Sequence, residues 1–204
     1  MRAIRIFNSH NKEIRAHLLR LPLPDRYLRF FSAVSEEAID NYVDKMDLDH
    51  IYGQTAEAGF GVFNARYKLI GFCHVAPTSP DRRNECEMAF SVDADHRNKG
   101  IGSALFDRAI IHCKSWGINT AFVNCLASNI AMKKMAENYN IPVTTEFGES
   151  VGKLNVDDKD SVRAFLRSVH NDTFALYDLN LRATYQGWLN FIENLTLSKI
   201  NEGP

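Results

Sequence analysis

The chain has no apolar run approaching the ~20 residues that a membrane-spanning helix needs, so no membrane partner is expected. Its first ten residues, Met1 to His10, carry too short an apolar stretch for a secretory signal, and the expectation is a soluble, cytoplasmic protein. Cysteine is scarce and scattered. Cys73, Cys86, Cys113 and Cys125 form no Cys-x-x-Cys pair and sit in apolar contexts, which reads as reduced core residues and excludes a disulfide scaffold. His112 has no ligand-type neighbour at helical spacing, so no metal site is expected. An excess of either charge is also lacking: 24 Lys and Arg stand against 25 Asp and Glu, dispersed without a basic stripe, and nucleic acid is excluded as a partner. Repeats, low-complexity tracts and long Pro- or Gly-rich linkers are absent too. The 204 residues therefore suit one domain with an addition.

The most informative stretch runs from Phe90 to Ser103, Phe-Ser-Val-Asp-Ala-Asp-His-Arg-Asn-Lys-Gly-Ile-Gly-Ser. An apolar-ended strand gives way to a polar turn and then to a loop with glycines at 100 and 102, which opens directly into an amphipathic helix. Without Cβ atoms, the glycines let backbone N–H groups converge on an anion, and the helix adds its positive N-terminal dipole. Arg97 and Lys99 bring mobile positive charge to the rim.

The flanking patterns supply a scaffold. Ala3 to Phe7 alternates as a first strand, and Asn8 or Ser9 can cap a helix with Ile14, Leu18 and Leu19 on one face that stops at Leu21-Pro-Leu-Pro24. Asp25 to Ser32 is rich in Arg, Tyr and Phe. Ser35-Glu-Glu starts a second helix carrying Ile39, Tyr42, Val43 and Met46. A hairpin through Phe60, Val62, the turn at 64–67, Phe72 and His74 is followed by a strand over 85–92 that pairs with its second arm. On that strand Glu85, Glu87, Ala89 and Ser91 share one face, and Cys86, Met88, Phe90 and Val92 the other. Helix 100–116, closed by Gly117, leads to a strand over 120–126 that the right-handed crossover rule makes parallel to 85–92. Ser128 or Asn129 then caps a helix with Met132, Met135, Ala136 and Tyr139 on one stripe, and strands near 143–147 and 151–156 close the sheet. Beyond Asp157, a short helix with Val162 and Phe165 precedes a longer one with an apolar seam through Phe174, Tyr177, Leu181, Tyr185, Trp188, Ile192 and Leu195. That seam packs on its own domain or on a second chain, giving a monomer or a homodimer.

The strand end, the Arg97-x-x-Gly100-x-Gly102 loop and the helix together resemble the acetyl-coenzyme A site of the GNAT N-acetyltransferase superfamily over about residues 3–156. The resemblance implies an α/β (α+β) fold: a mixed, mostly antiparallel sheet flanked by helices on both faces. An acetyl-coenzyme A-binding domain over 1–156 would carry a C-terminal helical extension over 157–204. It implies acetyl-coenzyme A as co-substrate, held by Phe90 and Val92 on a splayed strand, by Arg97, Asn98, Lys99, Gly100, Ile101, Gly102 and Ser103 in the diphosphate loop, and by Asn129 and Met132 on the next helix. Early helices of such folds line the acceptor groove, which points to Arg26, Tyr27, Arg29 and Phe30.

The tyrosine that protonates the departing thiolate in many members is replaced here by Ala136, with Tyr139 one turn away as a substitute or a core residue. A thiol of pKa ~8.5 leaves as the anion without much help, whereas an alkyl ammonium of pKa ~10.4 must first be deprotonated. Glu87, with Glu85 nearby, resembles the strand glutamate that serves as base in protein-lysine acetyltransferases of the superfamily, and His74 and His96 are secondary candidates. The acceptor would be a protein lysine or a small polyamine-like amine. Two other readings remain: a catalytically silent acetyl-coenzyme A-binding regulator, and an interaction module working through its C-terminal helices.

Overall fold

The computed structural model describes residues 2–49, 57–79, 81, 82, 84–156 and 184; apart from Thr184, the proposed C-terminal helices and their seam lie outside the described residues. Seven strands form one sheet in the order β1-β2-β3-β4-β5-β7-β6. The strands are β1 (Ile4–Ile6), β2 (Ala58–Phe63), β3 (Leu69–Pro77), β4 (Glu85–Val92), β5 (Thr120–Leu126), β6 (Val143–Glu146) and β7 (Glu149–Asn155). Every pairing is antiparallel except β4 with β5, which the crossover through a helix makes parallel. The helices are α1 (Asn11–Arg20), α2 (Leu23–Phe30), α3 (Glu36–Asp44), α4 (Ile101–Ser115) and α5 (Ile130–Asn138).

Period-two alternation in the strands divides the apolar residues between two cores. On one face Phe60, Val62, Cys73, Val75, Cys86 and Met88 pack under Ile101, Leu105, Phe106, Ala109 and Cys113 of α4. On the other, Ile4, Ile6, Leu69 and Phe72 meet Ile14 and Leu18 of α1 and Ile39 and Val43 of α3. Ser35 caps α3 as its sequence promised, its hydroxyl accepting from the Ala38 amide at 3.1 Å. The segment over 25–32, which the sequence left without an element, contains α2. Pro24 sits in the first turn, where its fixed φ suits a helix start, and Phe31 in left-handed geometry (φ 61°) ends it. The second arm of the last hairpin begins at Glu149, two residues before the expected strand, because Phe147 and Gly148 make a tight turn with φ of 49° and 87°.

Candidate functional site

Two neighbouring strands part company in the middle of the sheet. β4 and β5 pair only at Glu85↔Thr120, Cys86↔Ala121 and Glu87↔Phe122; beyond Glu87, β4 stays with β3 and β5 stays with β7. The Asp93 amide donates to the Ile70 carbonyl at 2.9 Å and the Thr78 amide to the Glu85 carbonyl at 3.4 Å. These bonds fix the phase of the ladder. Odd-numbered residues of β4 face β3, so the backbone groups of Met88, Phe90 and Val92 turn toward the gap. Of these, the Val92 carbonyl is approached by Arg97 Nε at 3.4 Å.

The gap opens into a cleft of about 350 Å³ whose walls include Phe90, Ser91 and Val92 of β4, the loop before α4, α2, and the start of α5. Asp93 leads into a 3-10 turn over Ala94–His96, then the chain extends at Arg97 and reverses through Asn98 (φ 59°) and Gly100 (φ 76°). Gly100 is the N-cap of α4 and offers no side chain to the first turn. The first helical bond runs from the Ala104 amide to the Gly100 carbonyl at 3.0 Å, which leaves the N–H groups of Ile101, Gly102 and Ser103 without helical acceptors. A Cβ added at Gly102 meets nothing nearer than Met135 Sδ at 3.8 Å, so the space it would take belongs to the cleft. Uncapped amides at a helix start suit a diphosphate, and an unpaired strand edge suits an amide-bearing arm. The donor set therefore fits acetyl-coenzyme A.

Arg97 is already engaged: its Nη2 lies 2.7 Å from Asp25 Oδ2 in the first turn of α2. Lys99 turns away, its Nζ donating to the Asp95 carbonyl at 2.8 Å, and it does not line the cleft. Asn129 caps α5, accepting from the Met132 amide at 3.2 Å, and both residues line the cleft. Thus Phe90, Val92, Arg97, Asn98, Gly100, Ile101, Gly102, Ser103, Asn129 and Met132 converge on one cavity, and of the expected set Lys99 alone stays out.

Glu87 is the last β4 residue paired with β5 and so stands at the vertex of the opening, half-buried and, among the described residues, without an ion-pair partner. Glu85 differs: Arg82 Nη1 reaches its Oε2 at 3.1 Å. Neither carboxylate lines the cleft proper. On the same face of the sheet, His74 of β3 lies opposite Ala89, two positions from Glu87. Its Nε2 lies 2.9 Å from Glu57 Oε1 and its Nδ1 2.8 Å from the Tyr42 hydroxyl, which accepts from Arg29 Nη2 at 2.8 Å. A carboxylate only accepts, so the network assigns the imidazole proton to Nε2 and makes Tyr42 the donor to Nδ1. Burial pushes the Tyr42 phenol up, opposed by the Arg29 charge. His96 lines the cleft with its Nδ1 buried and unpartnered.

Tyr139 lies elsewhere. It packs on Phe106 with ring centres 4.2 Å apart and donates to Asp107 Oδ1 at 2.6 Å; burial first, then Asp107, push its pKa up to about 12. Below the strand end, His17 joins Ser91 Oγ at 2.9 Å to Asp93 Oδ1 at 3.0 Å, and Arg20 closes on the same carboxylate at 2.9 Å. Burial holds the His17 pKa below its ordinary value. Burial alone would raise Asp93, but His17 and Arg20 hold it below the usual carboxylate value.

The sequence did not reveal Asp25, Leu28, Met135 and Asn138 as cleft residues. The aromatic-basic character of 25–32 was the available signal for the α2 wall, and the lone His74 on a strand face was the signal for its network. Among the described residues no group of three His, Cys, Asp or Glu could hold a metal ion, and no helix is long and apolar enough to cross a membrane.

Residues 24–140 match the family described as Acetyltransferase (GNAT) family. Among solved structures, the GNAT domain of an S. lividans PAT superposes with a TM-score of 0.62 at 16% identity, covering 75% of this chain and 89% of that one. An acetyltransferase of the GNAT family from Streptococcus pneumoniae gives 0.60 at 13% identity, with coverage of 76% and 98%. A ribosomal-protein-alanine N-acetyltransferase from Brucella melitensis gives 0.54 at 12% identity, with coverage of 75% and 97%. At these identities the likeness is one of fold. No curated protein matches the chain significantly.

Proposed function

Since the chain belongs to the GNAT acetyltransferase family, and is thus an acyltransferase using acetyl-coenzyme A, we propose that it acetylates a primary amine, either a protein lysine or a small polyamine-like molecule. The reaction is direct, with donor and acceptor bound together. We assign the transferase domain to residues 1–156 and treat 157–204 as an addition to it. The observation that carries the reading is the parting of β4 and β5 at Glu87, directly continuous with a cleft that ends on the bare N-terminus of α4.

Acetyl-coenzyme A supplies an acyl group activated as a thioester, with a leaving thiol of pKa ~8.5 that departs as the anion near neutral pH. The amides of Ile101, Gly102 and Ser103 hold the diphosphate, helped by Arg97. The free edge of β4 at Phe90 and Val92 holds the arm, and one of its N–H groups polarises the acyl carbonyl. Asn129 and Met132 form the opposite wall from the start of α5.

Glu87, at the vertex, accepts the proton of the incoming ammonium, directly or through one water. Only the free amine carries a lone pair for attack, and at pH 7 about one alkyl amine in 10³ is in that form, so a carboxylate at this place lowers the barrier. The loss of the usual tyrosine at Ala136 is tolerable because the thiol is a good leaving group. Tyr139 is held by Asp107 and takes no part.

The test is thiol release from acetyl-coenzyme A against peptides, polyamines, aminoglycosides and amino acids. Glu87→Gln should lower kcat by about 10²-fold or more while leaving the Kd for acetyl-coenzyme A within about twofold. Unchanged kcat removes Glu87 from the mechanism; absence of release with every amine removes the proposed reaction.

A further inference from the structure

Arginines of α1, α2 and the loop before α4 are answered by acids or carbonyls, with one exception. Arg97 pairs with Asp25 at 2.7 Å, Arg20 with Asp93 at 2.9 Å and Arg15 with Asp40 at 2.6 Å, while Arg26 donates to the carbonyls of Leu19 and Leu21. Arg29 lines the cleft, yet among the described residues no carboxylate stands within ion-pair distance of it. Its Nη2 donates to the neutral Tyr42 hydroxyl, and its buried Nε has no partner. The guanidinium carbon sits 5.1 Å from the Phe30 ring centre and 5.6 Å from that of Tyr42.

Aromatic faces orient a guanidinium without consuming its N–H groups. Behind Tyr42 stand His74 and Glu57, a partly buried chain of hydrogen bonds that fixes the phenol and, through it, the arginine. A half-buried charge with no counter-charge is costly unless a ligand supplies one, and the planar fork of arginine fits a carboxylate.

Its position along the cleft is also informative. On α2, Asp25 meets the loop that holds the diphosphate, whereas Arg29, four residues and about 6 Å further along the helix, reaches the network of His74, near the level of Glu87. Arg29 is therefore at the end where the acyl group and the amine meet, away from the phosphates.

We propose that Arg29 is the receptor for a carboxylate brought to the reacting end of the cleft, with Tyr42, His74 and Glu57 as its positioning residues. The carboxylate belongs either to the acceptor, which narrows the primary amine proposed above to one of amino-acid type in place of a polyamine, or to the acyl group of the donor, a dicarboxylic half-thioester in place of acetyl. The proposal rests on the acetyl-transfer reading for the identity of the cleft.

Calorimetry on the full-length protein separates the sources. In one arm, succinyl-coenzyme A is compared with acetyl-coenzyme A; in the other, the coenzyme A-loaded protein is titrated with lysine against cadaverine and with ornithine against putrescine. In one arm the carboxylated member should bind roughly tenfold or more tightly. Arg29→Gln should erase that preference and Arg29→Lys retain part of it, with unchanged circular dichroism for both variants. The proposal is overturned if the wild type shows no preference in either arm, if the preference survives Arg29→Gln, or if Arg29→Gln weakens coenzyme A itself as much as every other ligand. Because the readout is binding, a protein that acetylated none of the amines would refute the transfer reading and still decide the role of Arg29.

Discussion

Gly100 combines a φ of 76° with a place where nothing lies within 4 Å of an added Cβ, so its requirement is one of backbone conformation alone. Gly100→Ala should cost about 1 kcal/mol of stability, read as a lower Tm, and should weaken acetyl-coenzyme A severalfold as the loop relaxes. Such residues are legible in a sequence because glycine has few other reasons to recur at this spacing before a helix. The strand pattern also gave the place of Glu87 on β4, where the structure ends the β4–β5 pairing, while its role as base came from the family resemblance and is a proposal. Asp25 was not legible, and Arg29 was named only as one of four residues over 26–30, with no sign of its special position. What distinguishes them is the partner each has or lacks across the cleft, and ion pairing between distant segments leaves no local trace in the chain. Lys99 illustrates the converse: its charge suggested the phosphates, but a nearby carbonyl within its own turn holds the ammonium.

Among elements, the strands and the longer helices announced themselves through their periods, and the parallel pairing of β4 with β5 followed from the crossover rule. The early termination of that pairing did not, and only the family resemblance pointed to a splayed strand there. The termination depends on β4 remaining with β3 while β5 remains with β7, a competition between two neighbours that no single strand encodes. α2 escaped notice because eight residues with a proline in the first turn look like a loop by composition, and the apolar stripe is too short to count. α3 was plain by contrast, through its Ser35 cap. Ser35→Ala should lower stability by about 1 kcal/mol in thermal or denaturant melts while leaving coenzyme affinity untouched, since the cap lies outside the cleft.

For the molecule as a whole, the buried His17, Ser91 and Asp93, closed off by the half-exposed Arg20, tie α1 to the mouth of the strand gap and make stability depend on pH. His17 has a folded pKa below its unfolded value of about 6.5, so the folded state binds fewer protons, and stability is lost as pH falls from there through the folded pKa. Asp93, also depressed, acts in the same direction but lower, with its contribution lost below about pH 4. The Tm should therefore decline between pH 7.5 and 5, and His17→Gln should give a lower but flatter profile; an equally steep decline in the variant would assign the effect to other groups. The fold as a whole was readable because its two cores follow from alternation alone.

One further consequence comes from the bridge between Asp25 and Arg97. An aspartate that occupies the arginine of the nucleotide seat is an internal competitor, and the incoming diphosphate must evict it before taking full hold. Asp25→Asn should therefore bind coenzyme A more tightly than the parent, by titration at low salt, with the advantage shrinking as ions screen the rivalry. Weaker binding in that variant would mean that Asp25 serves instead as a splint, presenting Arg97 to its guest.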